Sequence, residues 1–261
     1  MSLGKFFLYL FVALVLFFLI APTLVVIPLS LSPTTFMQFP PEGISFQWYE
    51  KYLSQPGWIR ATWNSIVIAL ITPLIAVPVG SLAAYALVRG TFIGRKSISF
   101  LLLLPIIVPT LVTAIAVFKV FSQMKLTGTI PGFVLAHAVL AIPFVVTIMT
   151  ATLKGVDPQL ENAAMTLGAT RLRTVRLVTL PIATPGLLAS SLFAFLVSFD
   201  ELIVAIFISS PLVNTLPKRL WDGIRLELEP TLAAVSTILV LVSLVVLAIA
   251  GALMRRSNIQ Q

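Results

Sequence analysis

Six long apolar runs, separated by short polar segments, set the pattern of this chain. The first extends from Phe6 to Leu31 and the second from Ala61 to Val88, neither with a charged residue. The third covers about Ser97 to Phe118, and the fourth about Leu126 to Leu153 with His137 inside it. The fifth lies within Leu180 to Leu216, and the sixth runs from Thr231 to Met254. A helix needs about 20 mostly apolar residues to cross a bilayer. In hydrocarbon the backbone must satisfy its own hydrogen bonds, so each run predicts a helix rather than an open strand. The pattern therefore predicts an all-α integral membrane protein of six transmembrane helices, with residues 1–261 forming a single membrane domain. Prolines 73, 78, 105, 109 and 143 predict kinks supported by neighbouring helices.

Composition agrees with the lipid reading. The chain is 59% hydrophobic and only 10% charged, with a mean hydropathy of +1.07, whereas a soluble domain carries about 25% charged residues. No cysteine is present, which removes disulfides, thiolate metal sites and cysteine nucleophiles. The net charge of +8 raises a nucleic-acid partner, but in a membrane chain the positive-inside rule accounts for it, and no nucleic acid is expected. Lys5 ahead of the first run resembles the start of a signal peptide. That run is roughly 26 residues, longer than the roughly 7–15 of a signal's apolar core, and no A-x-A-like site closes it, so an uncleaved first span is expected.

The basic residues choose the orientation. One set of loops carries Lys5, Arg89, Arg95, Lys96, Lys154, Arg171, Arg173, Arg176, Arg255 and Arg256 against only Asp157 and Glu161. The other carries Lys51, Arg60, Lys119, Lys125, Lys218, Arg219 and Arg225 against Glu42, Glu50, Asp222, Glu227 and Glu229. The asymmetry predicts that both termini and the Glu161 loop are cytoplasmic. Trp48, Tyr49, Tyr52, Trp58 and Trp63 bracket the second span on the opposite side, so residues 44–58 are expected to form a short helix at the outer headgroup level.

The polar island between the fourth and fifth runs carries the most local information. Asp157 and Pro158 suit an N-cap and first helical position, and Glu161 follows where the helix dipole favours a negative charge. Gly168 interrupts the helix and allows a sharp change of direction. A second helix is expected from about Thr170 to Val178, with Arg171, Arg173 and Arg176 on its polar side and Leu172, Val175 and Leu177 among its apolar positions. Leu180-Pro181 is expected to end it. By physics alone this is either an ordinary amphipathic connection or a knob shaped for a cleft on another protein.

The order of residues separates the two. Glu161, Ala163, Ala164, Leu167, Gly168 and Ala169, followed by a basic stretch and then by Leu180, Pro181 and Gly186, resemble the EAA loop of binding-protein-dependent ABC importer permeases. Asn162 stands where that pattern has a glutamate directly before the two alanines, with Glu161 one place earlier. The resemblance covers roughly residues 60–250. Ser198 to Val204, Thr215 to Trp221 and Glu229 to Thr237 look like the second permease subunit of spermidine/putrescine-type importers. It implies the type I permease fold of ABC importers, a multi-pass place in the bacterial inner membrane, and a coupling loop over about 154–181. Glu161, Asn162, Ala163, Ala164, Leu167, Gly168, Ala169, Arg171 and Pro181 would carry that loop's contacts. It also implies the partners: cytoplasmic ATPase subunits, a homologous second permease and an extracytoplasmic binding protein. ATP would be used by those partner subunits. The chain itself lacks a G-x-x-x-x-G-K-[ST] phosphate loop, and no enzyme activity or bound cofactor is expected of it.

Asp200 and Glu201 form the second constellation. A carboxylate at the bilayer centre costs ~2.5–3.5 kcal/mol on insertion scales, so water, a cation or a protein partner must compensate it. Either acid could face the substrate pathway and attract an ammonium group, or sit in a polar subunit interface. Neighbouring helical positions diverge by about 100°, so the two are not expected to serve one ligand equally. An ion-coupled secondary transporter using this pair is the competing class, although no internal repeat supports it. Polyamines are favoured as cargo, with amino-acid derivatives, phosphonates and ferric iron as alternatives. His137 is expected to be a satisfied interior histidine, and Lys119 and Lys125 to snorkel at span ends.

Overall fold

A computed structural model describes residues 3–226 and 229–258, with side chains over 4–226 and 229–245. Glu227 lies outside the described residues, and Arg255 and Arg256 outside the described side chains. All regular structure among the described residues is helical. The chain packs as two compact units, one of residues 60–219 and the other of the segments through 59 and from 220 onward.

The second of these units holds α1 (Leu3–Ser30), α2 (Gln47–Ser54) and α13 (Pro230–Asn258), and α13 packs on both of the others. The surface helix expected over 44–58 appears as α2, but its aromatic rings do not all lie at an interface. Trp48, Tyr52 and Trp58 are buried, while Trp63 is exposed. The Trp48 indole donates to the Ser32 carbonyl at 2.6 Å, and the Tyr49 hydroxyl pairs with Ser30 Oγ at 2.6 Å. The anchoring of its indole N–H on Ser32, just past α1, explains why the Trp48 ring turns inward. Lys51 Nζ meets Glu229 Oε2 at 2.6 Å in the same unit.

The 60–219 unit is organised around α6 (Ile130–Gly155). Thr129 caps this helix by accepting from the Gly132 N–H at 3.1 Å, and Pro131 occupies its first turn. The helix is apolar on nearly all sides and buried along its length, as such a helix must be. It packs against α10 (Thr184–Phe199), α4 (Arg95–Ile107) and α11 (Ile203–Ile208). Small residues set these close approaches. A Cβ on Gly80 of α3 (Pro56–Arg89) would lie 2.7 Å from Val145 Cγ1, and one on Gly186 would overlap the Thr152 side chain. Ala76, Ala84, Ala138, Ala141 and Ala194 fill the rest of that seam.

Two apolar runs depart from simple spans. The third is divided, because α4 and α5 (Thr110–Gln123) meet at 101°. Val108 is extended there (φ −75°, ψ 134°), since proline excludes the preceding residue from the helical region. The other four prolines named above lie inside continuous helices. The fifth run begins in a helical path that bends by 74° where Arg171–Ile182 meets Thr184–Phe199, and it breaks at Asp200. Among the described residues three helices are continuous and apolar enough to cross a membrane, and up to five if each bent pair is one span. The described apolar part of α13, Pro230–Val245, is shorter.

Candidate functional site

The polar island folds as two short helical arms, both inside the 60–219 unit. Asp157 accepts from the Gln159 N–H at 2.9 Å and Pro158 opens α7 (Pro158–Thr166). The helix closes at Gly168, whose φ is +90°. The Gly168 N–H bonds the Met165 carbonyl at 3.0 Å and the Ala169 N–H bonds Ala164 at 3.1 Å, the paired bonds of a Schellman stop. A Cβ at Gly168 would meet nothing within 4 Å, so the site demands a conformation rather than space.

Thr170 caps the second arm, accepting from the Arg173 N–H at 3.4 Å. This arm does not end at Leu180-Pro181. It runs from α8 (Arg171–Thr174) through a π-helical turn (Val175–Thr179) into α9 (Leu180–Ile182), and the direction changes only at Ala183. Pro181 has no N–H for the Leu177 carbonyl and its ring crowds that oxygen. A wider turn just ahead, where the Leu180 N–H reaches Val175, is the local adjustment that carries the helix past it.

Glu161 does not project outward. It is 6% exposed, and both carboxylate oxygens are used. Oε2 accepts from Arg89 Nε at 3.0 Å and Oε1 from Thr179 Oγ1 at 3.0 Å. Arg89 Nη2 also donates to the Val156 carbonyl at 2.7 Å. One carboxylate therefore ties the end of α3 to α7 and to the π turn. The charge on Arg89 suits the C-terminus of α3, where the helix dipole is negative. In the sequence Arg89 is one loop cation among several. Nothing local marks its partner, which lies beyond a turn and two further apolar runs.

The outer face is different in kind. Asn162, Ala163, Gly168, Arg171 and Pro181 are exposed, and Ala164 and Ala169 are half-buried. Leu167 and Leu172 are 88% and 80% exposed, and Leu177 also faces outward. A cleft of about 290 Å³ lies between the arms, lined by Ala164, Leu167, Ala169, Arg173, Leu177 and Val178. A second, of about 460 Å³, sits beside Asn162, Met165 and Arg171, with Glu161 and Arg89 at its wall. Projecting leucines ringed by arginines, next to open clefts, form the kind of surface that marks a protein contact.

Asp200 and Glu201 sit at a helix break, not within a helix. Glu201 Oε1 accepts from the Val204 N–H at 2.9 Å and so caps α11. Asp200 ends α10 and is exposed, and its carboxylate has no hydrogen bond or ion pair among the described residues. His137 is buried, with Nδ1 2.9 Å from Ser198 Oγ. Ser198 donates to Thr72 Oγ1 at 3.1 Å and Thr72 to the Ile68 carbonyl at 2.8 Å, which leaves Nδ1 as the donor to Ser198. The ring is satisfied on that side only, because Nε2 is buried with no partner among the described residues.

Comparisons with known proteins fit this geometry. Residues 76–259 match the family described as binding-protein-dependent transport system inner membrane component. The chain is 29% identical over 217 residues to the spermidine/putrescine transport system permease protein PotC of Haemophilus influenzae, covering 83% of this chain and 84% of that one. It is 30% identical over 226 residues to the putrescine transport system permease protein PotI of Escherichia coli, covering 84% and 80%. Its fold is similar to that of a chain from a bacterial alginate ABC transporter, crystallised with an alginate pentasaccharide-bound periplasmic protein. That TM-score is 0.74 at 20% identity, over 97% of this chain and 94% of the other.

Proposed function

The chain belongs to the binding-protein-dependent transport system inner membrane component family, and on that premise we propose that it carries polyamines and is driven through the 157–182 knob. It is the permease of an ABC importer, an inner-membrane transport component whose ATP is hydrolysed by a separate subunit. Membership removes the ion-coupled secondary transporter as a reading. The remaining apolar runs, the loop charges and the relatives support six spans in one permease domain, with both termini cytoplasmic. A homologous second permease and an extracytoplasmic binding protein complete the proposed assembly.

One observation carries the coupling role: the buried Arg89–Glu161–Thr179 clamp beneath an exposed apolar and basic face. The outer face, with Leu167, Leu172 and Arg171, seats the ATPase. Asn162, exposed in place of the usual glutamate, offers that partner an amide instead of a charge. Glu161 works inward. When the ATPase subunits close, the displacement of the knob reaches α3 through Arg89, and it reaches α10 through the continuous path from the π turn. The bundle then shifts largely as a body, exchanging an inward opening for an outward one.

Polyamine cargo is supported by the names of the two relatives and by Asp200, an exposed carboxylate with no partner of its own among the described residues. Glu201, committed to the α11 cap, positions that turn rather than the cargo. Uptake of radiolabelled putrescine by cells lacking and then regaining this permease tests the cargo. Restored uptake that unlabelled spermidine competes away supports it; uptake indifferent to the permease, or competed only by amino acids or sugars, contradicts it.

A further inference from the structure

A second feature of the 60–219 unit begins just ahead of the knob. A cleft of about 730 Å³ opens between α4 and α6. Arg95 and Lys96 of α4 and Lys154 of α6 stand at one end of its lining, and Leu103 and Val146 stand further along. At about 1.5 Å per helical residue, Leu103 lies about 12 Å along α4 from Arg95, and Val146 about 12 Å along α6 from Lys154. Both walls thus grade in the same direction, from cation to aliphatic. Among the described residues none of the three cations has a carboxylate partner, and Arg95 Nη1 reaches only the Gly90 carbonyl at 3.5 Å.

We propose that this cleft is a binding site for an anionic phospholipid, with the phosphate held by Arg95, Lys96 and Lys154 and the acyl chains laid against Leu103 and Val146. A free phosphate would use only the charged end and leave the apolar walls bare. A zwitterionic lipid would use the walls but bring a fourth cation to a mouth that already holds three. An anionic lipid matches both ends of the cleft. Basic pockets between spanning helices are suited to such headgroups. The leaflet rests on the topology proposed above; the cleft does not.

The test uses the assembled importer in nanodiscs of phosphatidylcholine with a minor fraction of phosphatidylglycerol, either lipid carrying a photoreactive group in its acyl chain. The phosphatidylglycerol probe is expected to label peptides containing Leu103 and Val146 well above the phosphatidylcholine probe. Arg95→Gln, Lys96→Gln and Lys154→Gln should each lower that labelling by about fivefold. The triple variant should fall to the phosphatidylcholine level while co-purifying with its partners. Equal labelling by both probes, or labelling indifferent to the triple variant, would reduce the cleft to a greasy contact and overturn the proposal. Displacement by millimolar glycerol phosphate would make it a free-anion site, and absence of labelling in the assembled importer would mean a protein partner covers it; either result also overturns it.

Discussion

Replacing Glu161 with glutamine should loosen the knob without unfolding the bundle. The change keeps the side chain's shape and an oxygen for Thr179, but it leaves the Arg89 guanidinium charged in a site where the two side chains are only 16% and 8% exposed. Removing one partner of a buried ion pair costs about 3–5 kcal/mol, mostly because the other charge is stranded. The lower end applies here, since Arg89 retains the Val156 carbonyl. About 3 kcal/mol corresponds to roughly a hundredfold increase in the local opening constant. Hydrogen exchange on the assembled importer reads this directly. Amides of 158–182 should lose about two decades of protection in Glu161→Gln, while those of α6 stay as they were. Arg89→Met with Glu161→Met should recover much of the protection, because a well-packed apolar pair can replace a buried ionic one. Transport per ATP hydrolysed should nonetheless stay low in the double variant, since a flexible apolar pair transmits displacement with less directional constraint. Exchange unchanged in Glu161→Gln would refute the clamp.

Three further outcomes follow from the same geometry. Gly168→Ala should cost about 1–2 kcal/mol through its positive φ alone, and Gly168→Asn less; the readout is the fraction of ATPase that co-purifies, and wild-type recovery for Gly168→Ala would remove the conformational requirement. Gly186→Ala should destabilise the importer by about 1–3 kcal/mol because its Cβ overlaps Thr152. Gly155→Ala, with open space around it, should not; thermal melts of the two variants in one detergent compare them, and equal midpoints would contradict the close crossing. Asp200→Asn should raise the KM for putrescine uptake while leaving thermal stability alone, whereas Glu201→Ala should cost about 1 kcal/mol as a lost cap. The reverse assignment of effects would exchange the roles of the two acids.

Local chemistry was legible in the sequence where a residue's own backbone preference decides the structure. Asp157-Pro158 and Gly168 announced the start and stop of α7, and the structure places a cap bond and a positive φ at those positions. Proline was a poorer guide. Pro109 breaks a run at 101°, whereas Pro73, Pro78, Pro105 and Pro143 stay inside helices, because neighbouring helices decide whether a kink opens. Pro181 reads as a stop and is not one, since a π turn ahead of it absorbs the missing hydrogen bond. The apolar pattern also hid the break at Asp200, where charge marks the site without marking its geometry. Least legible was the clamp. Arg89 and Glu161 are 72 positions apart, and only the folded bundle brings them together.

The seat of the ATPase can be tested at one atom. The chain has no cysteine, so Leu167→Cys introduces the chain's single thiol on the most exposed leucine of the knob, with Gln123→Cys as an exposed polar site at the end of α5. In the purified importer the Leu167 thiol should be shielded from a charged maleimide and should cross-link, through a short bifunctional reagent, to the ATPase subunit. The Gln123 thiol should do neither. A Leu167 thiol that reacts equally with and without the ATPase, and forms no cross-link to it, would contradict the assignment of the knob as the coupling contact.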